Sequence, residues 1–253
     1  MLAAHEPPAV TVQRPDSHSP LFFTCDHASN RIPEALGDLG LAPAERARHI
    51  AWDIGALGVA EQLAAHFEAT LVATGYSRLV IDCNRHLWRA DAIPLHSELT
   101  EVPGNQDLSE PAQEARRACF HQPYHAQIHT LLETRRQAGS ATVYVSVHSF
   151  TPVFKGDARP WQVALLSNRD RRLADILLRE LGRDPALCVG DNIPYRLTDE
   201  SDYGVPVHAE RRGLPHVLIE LRQDEIADAR GQRAWAERLA PLLRQATLEL
   251  GLA

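Results

Sequence analysis

Four short apolar runs in this chain each lead into side chains that can do chemistry. Leu21-Phe22-Phe23 precedes Asp26 and His27, Leu79-Val80-Ile81 precedes Asn84 and Arg85, Val143–Val147 precedes His148 and Ser149, and Val217-Leu218-Ile219 precedes Glu220. Runs of this length and composition read as buried strands, and polar groups at buried strand ends cost free energy unless they have partners. Two imidazoles and a carboxylate suit a zinc ion that keeps one position open for water or substrate. Such an ion lowers the pKa of its water to about 7, and a neighbouring carboxylate that is not a ligand can take and return the proton. An arginine aimed at the reacting carbonyl stabilises the developing oxyanion. An Asn-Arg pair can hold a substrate carboxylate, because the planar guanidinium forks onto two oxygens. The chemistry these types describe together is hydrolysis of an amide next to an anionic group.

Positioning such groups needs a sheet. "LFFTC", "ATVYVSV", "WQVALL" and "PHVLIEL" read as strands, and "TLVATGYSRLVIDC" as two short β-rich runs around Gly75. Residues 54, 57, 60, 63 and 67 carry the three-and-four apolar spacing of an amphipathic helix. "RRLADILLREL" reads as another helix, and a closing helix puts Trp235, Leu239, Leu242, Ala246 and Leu250 on one face. A helical region is predicted over about 111–137 with an interruption near Pro123, and residues 86–110 read as a long loop of the kind that is usually functional. Alternating strands and helices predict an α/β three-layer sandwich: a mixed, largely parallel sheet with helices on both faces. Ligands bind at the carboxyl edge of such sheets, so the four polar endings would converge there. Residues 1–20, with four prolines, read as an N-terminal arm, and 21–253 as a single α/β hydrolase domain.

At 253 residues and 44% hydrophobic content the chain can bury one sizeable core. A net charge of -7 and a pI near 6.0, with no dense Lys/Arg run, argue against nucleic acid as a partner. No stretch approaches the roughly 18 apolar residues of a membrane span, and the first twenty residues lack a signal-peptide pattern, so a cytoplasmic protein without a membrane partner is expected. Four scattered cysteines, Cys25, Cys83, Cys119 and Cys188, read as reduced and mostly structural. Nothing in the pattern specifies an oligomeric state.

The blocks "TCDHASNRIP", "HIAWDIG", "YSRLVIDCNR", "HSFTP", "GDNIPY" and "IELRQD" resemble the N-formylglutamate amidohydrolase family over about residues 20–245. That family is similar in fold to zinc carboxypeptidases and aspartoacylases, with one zinc ion at the edge of a mixed sheet. The resemblance implies a metal-dependent amidohydrolase acting on the N-acyl, expected N-formyl, amide of an acidic amino acid such as N-formylglutamate. It implies His27 and His148 as zinc ligands, Arg78 as the carbonyl-polarising arginine, Asn84 and Arg85 as the carboxylate clamp, and Glu220 as general base.

One position departs from the carboxypeptidase pattern: Asn30 stands where those relatives have a ligating Glu, and a neutral amide is a poor zinc ligand. Asp53 is the expected replacement, Asp26 the second candidate, and Asn30 is left to hold substrate or water. Asn192 and Tyr195 are expected to line the pocket. Two alternatives remain open: a zinc deacylase or carboxypeptidase-like enzyme acting on another N-acyl amino acid, and a non-catalytic protein that binds a carboxylate metabolite.

Overall fold

The computed structural model describes residues 1–252. Seven strands form one sheet: β1 (Val10–Gln13), β2 (Leu21–Cys25), β3 (Thr70–Thr74), β4 (Val143–Phe150), β5 (Val163–Leu166), β6 (Val189–Asp191) and β7 (His216–Arg222). Their order across the sheet is β1-β3-β2-β4-β7-β5-β6. The four central strands β3, β2, β4 and β7 are parallel. At one edge β1, which comes from the N-terminal arm, pairs antiparallel with β3. At the other, β5 runs antiparallel to β7 and carries β6 parallel to itself. The fold is the mixed, mostly parallel α/β sandwich expected from the pattern.

Successive side chains on a strand point to opposite faces, and the two faces here are covered by different helices. Phe23, Val145, Val147 and Ile219 pack beneath α1 (Ala56–His66), α4 (Arg172–Leu181) and α5 (Ala229–Glu249). Phe22, Val72, Tyr144 and Leu218 pack on the other face against Tyr124, Ile128 and Leu132 of α3 (Gln122–Gln137). Burial on both faces is why these strands read as unbroken apolar runs rather than as alternating patterns. The same alternation sends His148 and Glu220 to the α3 side of the sheet, and the β4–β7 register sets them next to each other.

The segment 78–83 is not a strand. Its apolar residues Leu79, Val80 and Ile81 are buried in a separate cluster with Leu39, Ile50 and Phe120. Its backbone bonds go to loops: Arg78 N–H donates to the Ala51 carbonyl and Asp82 N–H to the Ala92 carbonyl. A short apolar run signals burial, but what it is buried against is a tertiary matter. The helical region is likewise unbroken at Pro123. A π turn at Arg117–His121 links α2 (Glu110–Arg116) to α3, and a widened turn absorbs a proline that can neither donate an N–H nor sit against the preceding carbonyl. Among the described residues no helix is long and apolar enough to cross a membrane.

Gly55 is the turn that releases the chain from the site into α1. Its φ is 81°, and a Cβ there would lie 2.1 Å from the Ile226 carbonyl oxygen. Gly55→Ala should therefore cost about 1–3 kcal/mol of stability from strain and backbone displacement, read as a lower urea midpoint.

Candidate active site

At the carboxyl ends of β2 and β4, two buried histidines face one carboxylate. His27 Nδ1 lies 3.3 Å and His148 Nδ1 2.8 Å from the same oxygen of Asp53. The donor atoms of these three side chains lie within 4.8 Å of one another. Asp53 precedes α1 and is held from both sides: its N–H donates to the His27 carbonyl, and Ser149 N–H donates to its carboxylate. Each imidazole spends its other nitrogen on a carboxylate of its own. His27 Nε2 donates to Asp82 Oδ1 at 2.7 Å, and His148 Nε2 donates to Asp26 Oδ2 at 2.9 Å. Asp26 in turn accepts the Tyr124 hydroxyl at 2.5 Å. Outer carboxylates of this kind fix the tautomer and ring orientation of metal-ligating histidines.

Burial alone would lower the pKa of both imidazoles. For His148 the carboxylates of Asp26 and Asp53 more than offset it and raise the pKa well above the usual histidine range. For His27, burial and Arg78 are outweighed by Asp82 and Asp53, and the net shift is also upward. The carboxylates show the complementary balance: burial pushes Asp53 and Asp82 up, and the facing cations hold both below the ordinary carboxylate range. Glu220 is different. Burial pushes it to about 7, the Asp53 charge adds to the rise, and the His148, His27 and Arg78 charges only partly counter it. Its Oε2 is buried without a hydrogen-bond partner, an arrangement that costs free energy unless water or substrate completes it.

His27, Asp53, Arg78, Arg85, His148 and Glu220 all line a cleft of about 380 Å³, together with Tyr195 and Arg196. Arg78 gives Nε and one terminal nitrogen to Asp82, leaving the other 3.6 Å from Asp53 and facing the cleft. Arg85 reaches the Asn84 and Ser201 carbonyls with one terminal nitrogen and Asp91 with Nε, so its second terminal nitrogen remains for a ligand. Asn84 lines the cleft, but its side chain is used inside the protein: Oδ1 accepts Tyr203 and Gly204 N–H, and Nδ2 donates to Asp202. Two of the expected residues are not among those lining the cleft. Asn30 donates to the Arg46 carbonyl, and Asn192 accepts from Ser167 N–H, so both brace loops outside the cleft. Asp26, the second candidate ligand, points to the far nitrogen of His148 and takes the orienting position instead.

A layer of histidines beneath the cleft had no sequence signal beyond helical spacing. His125 Nε2 donates to the Cys83 carbonyl at 2.8 Å, and His121 Nε2 to the Arg85 carbonyl at 3.0 Å, pinning the turn that carries Arg85. Burial keeps His125 neutral, so with its Nε2 proton given to the Cys83 carbonyl its Nδ1 accepts from His208 Nε2, 2.9 Å away. The same burial pushes His208 down to about 3, so both imidazoles are neutral.

Asp82 is the other functional residue that the strand-end pattern does not single out. A donor set with two histidines calls for one outer carboxylate per ring, and that count could have found it. Asp26→Asn should weaken divalent-metal affinity by about 10–100-fold while leaving the three inner donors in place, measured by competition with a chelating dye.

The family model described as N-formylglutamate amidohydrolase matches residues 19–227. The crystal structure of the gene product Atu2144 from Agrobacterium tumefaciens superposes with a TM-score of 0.95 at 38% identity, covering 99% of each chain. The crystal structure of N-formylglutamate amidohydrolase from Ralstonia eutropha JMP134 superposes with a TM-score of 0.71 at 20% identity, covering 95% of this chain and 97% of that one. No functionally curated protein sequence matches the chain.

Proposed function

Because this chain belongs to the N-formylglutamate amidohydrolase family, and is on that ground an amidohydrolase, we propose that it cleaves the N-acyl amide of an acidic amino acid, with N-formylglutamate as the reference substrate and one Zn²⁺ held by His27, Asp53 and His148. The observation that carries this reading is the donor set. Two imidazole Nδ1 atoms and one carboxylate oxygen converge, each imidazole is oriented by its own outer carboxylate, and Glu220 lines the same cleft. Three protein donors of this mix leave a position open, which is the pattern of catalytic rather than structural zinc. When bound, the ion supplies Lewis acidity that readies a water for attack near neutral pH.

The chain's own residues account for the other roles. Glu220 takes the proton of the attacking water and returns it to the leaving nitrogen, a task suited to a carboxyl pushed to about 7. The free terminal nitrogen of Arg78 faces the reacting carbonyl and stabilises its developing negative charge. The unused nitrogen of Arg85 binds the substrate carboxylate, and Arg196 adds a second positive charge to the cleft lining. Asn84 contributes by holding the 201–204 segment rather than by touching substrate. A pure carboxylate binder has no use for Glu220, because a second anion beside the arginines repels the ligand.

The test is metal content by mass spectrometry on the purified protein, followed by an assay over a panel of N-acyl amino acids. The expected result is about one zinc per chain and turnover confined to acidic amino acids. A metal-free protein with no turnover of any amide would sink the proposal.

A further inference from the structure

One short turn joins the two halves of the site. Arg85 N–H donates to the Asp82 carbonyl at 3.2 Å and Asn84 N–H to Asp82 Oδ1 at 2.8 Å, so 82–85 closes as a hydrogen-bonded four-residue turn. Asp82 at its start holds His27 Nε2, and Arg85 at its end keeps a terminal nitrogen for the substrate. The placement of this turn therefore sets where a substrate carboxylate lies relative to the metal donors. Asp82 is tied down separately, by two bonds from Arg78 and by its own N–H to the Ala92 carbonyl. The Arg85 end depends on other contacts.

Those contacts come from the histidine layer. His121 Nε2 donates to the Arg85 carbonyl at 3.0 Å and His125 Nε2 to the Cys83 carbonyl at 2.8 Å, and both rings are buried. The two residues are four apart where the π turn passes into α3, so they share a helix face. His208 Nε2, 2.9 Å from His125 Nδ1, leaves the His125 proton on the nitrogen that meets Cys83. The Tyr203 ring packs on both, with centroids 5.2 and 4.2 Å away, and its N–H donates to Asn84 Oδ1. Burial pushes both imidazoles below the usual histidine range, a cost that satisfying two carbonyls with water would avoid. What buried, fully bonded rings add is rigidity.

We propose that His121 and His125 are positioning residues for substrate binding: by holding the Arg85 and Cys83 carbonyls they fix the turn that presents the Arg85 guanidinium to the substrate carboxylate. This rests on the reading of Arg85 as the carboxylate-binding arginine and specifies what sets it. Arg85 is then held at both ends, its carbonyl by His121 and its side chain by the Ser201 carbonyl. A guanidinium fixed in advance loses little freedom when substrate arrives, whereas one on a loosened turn must be ordered by the substrate itself. Neither imidazole is hydrogen-bonded to a metal donor or to Glu220, so the loss falls on KM rather than on kcat.

The experiment measures kcat and KM for N-formylglutamate on the zinc-loaded parent, His121→Leu, His121→Gln, Arg85→Met and the double variant carrying His121→Leu and Arg85→Met. His121→Leu leaves the Arg85 carbonyl without its donor and is expected to raise KM by about tenfold, with kcat within about twofold of the parent. His121→Gln, whose side-chain amide can donate from the position of Nε2, should restore most of the parent's KM. On the Arg85→Met background the leucine should change KM by less than about twofold, because its effect runs through Arg85. His125→Leu, measured against the same background, carries the same expectation and keeps the test open should His121→Leu fail to fold. Effects that multiply in the double variant, or a KM rise that His121→Gln does not reverse, overturn the proposal and leave Arg85 as the carboxylate-binding arginine. An Arg85→Met enzyme with the parent's KM, or a parent that hydrolyses no N-acylglutamate, overturns both.

Discussion

Glu220→Gln is expected to make the metal-free protein more stable and the enzyme nearly inactive. The carboxyl at position 220 sits at about 7 in the folded protein against an ordinary value of 4.5, chiefly because it is buried. Between those two values the unfolded chain has released its proton while the folded chain keeps it. Stability therefore falls as pH rises from 4.5 to 7 and stays reduced above that. A glutamine carries no charge to desolvate and can donate where the carboxylate could only accept. In EDTA, the variant should match the parent near pH 4 and exceed it at pH 8 by on the order of 2 kcal/mol, read from urea unfolding at the two pH values. Reloaded with zinc, it should lose about 10²–10⁴-fold in kcat with little change in KM, the usual contribution of a positioned general base. Equal stability at both pH values together with retained turnover would remove Glu220 as the base.

Asp53→Ala should cost both metal and activity. Among the described residues Asp53 is the only carboxylate whose oxygen faces both Nδ1 atoms, while Asp26 and Asp82 occupy the opposite nitrogens. Removing an outer carboxylate costs about 10–100-fold; removing a direct donor should exceed that, so kcat/KM is expected to fall by more than about 100-fold, with zinc lost on dialysis that the parent survives. Circular dichroism of the variant, set beside that of Asp26→Asn, separates this from misfolding. Full metal content with full activity would leave Asp53 as no more than an anion near the start of α1.

Much of this site could be read before any fold was known. His27, His148 and Glu220 were legible because each follows or interrupts an apolar run, and a buried strand has no structural use for such a group. Asp53 was legible only through a deficit, once Asn30 stood where a ligand was needed. Arg78 and Arg85 carried the right chemistry, although the run between them was misread as a strand: Leu79, Val80 and Ile81 are as buried as strand residues, but against loops. For Asn84 and Asn192 the sequence leaves open what the amide binds. An asparagine side chain can bind a substrate or a neighbouring backbone equally well, and only the positions of Tyr203, Gly204 and Ser167 show that the backbone takes it.

By itself the sequence determined the alternation that makes a mixed α/β sheet and the identity of the groups at its carboxyl edge, because burial on both faces of a strand imposes a local, readable pattern. The tertiary structure alone decided which nitrogen of each histidine faces Asp53, which carboxylate stands behind it, and which arginine nitrogens are left to face the cleft. Those depend on segments far apart in the chain, 26–27, 53, 82 and 148, meeting within a few ångströms. Contacts of that kind leave no periodicity in any one stretch.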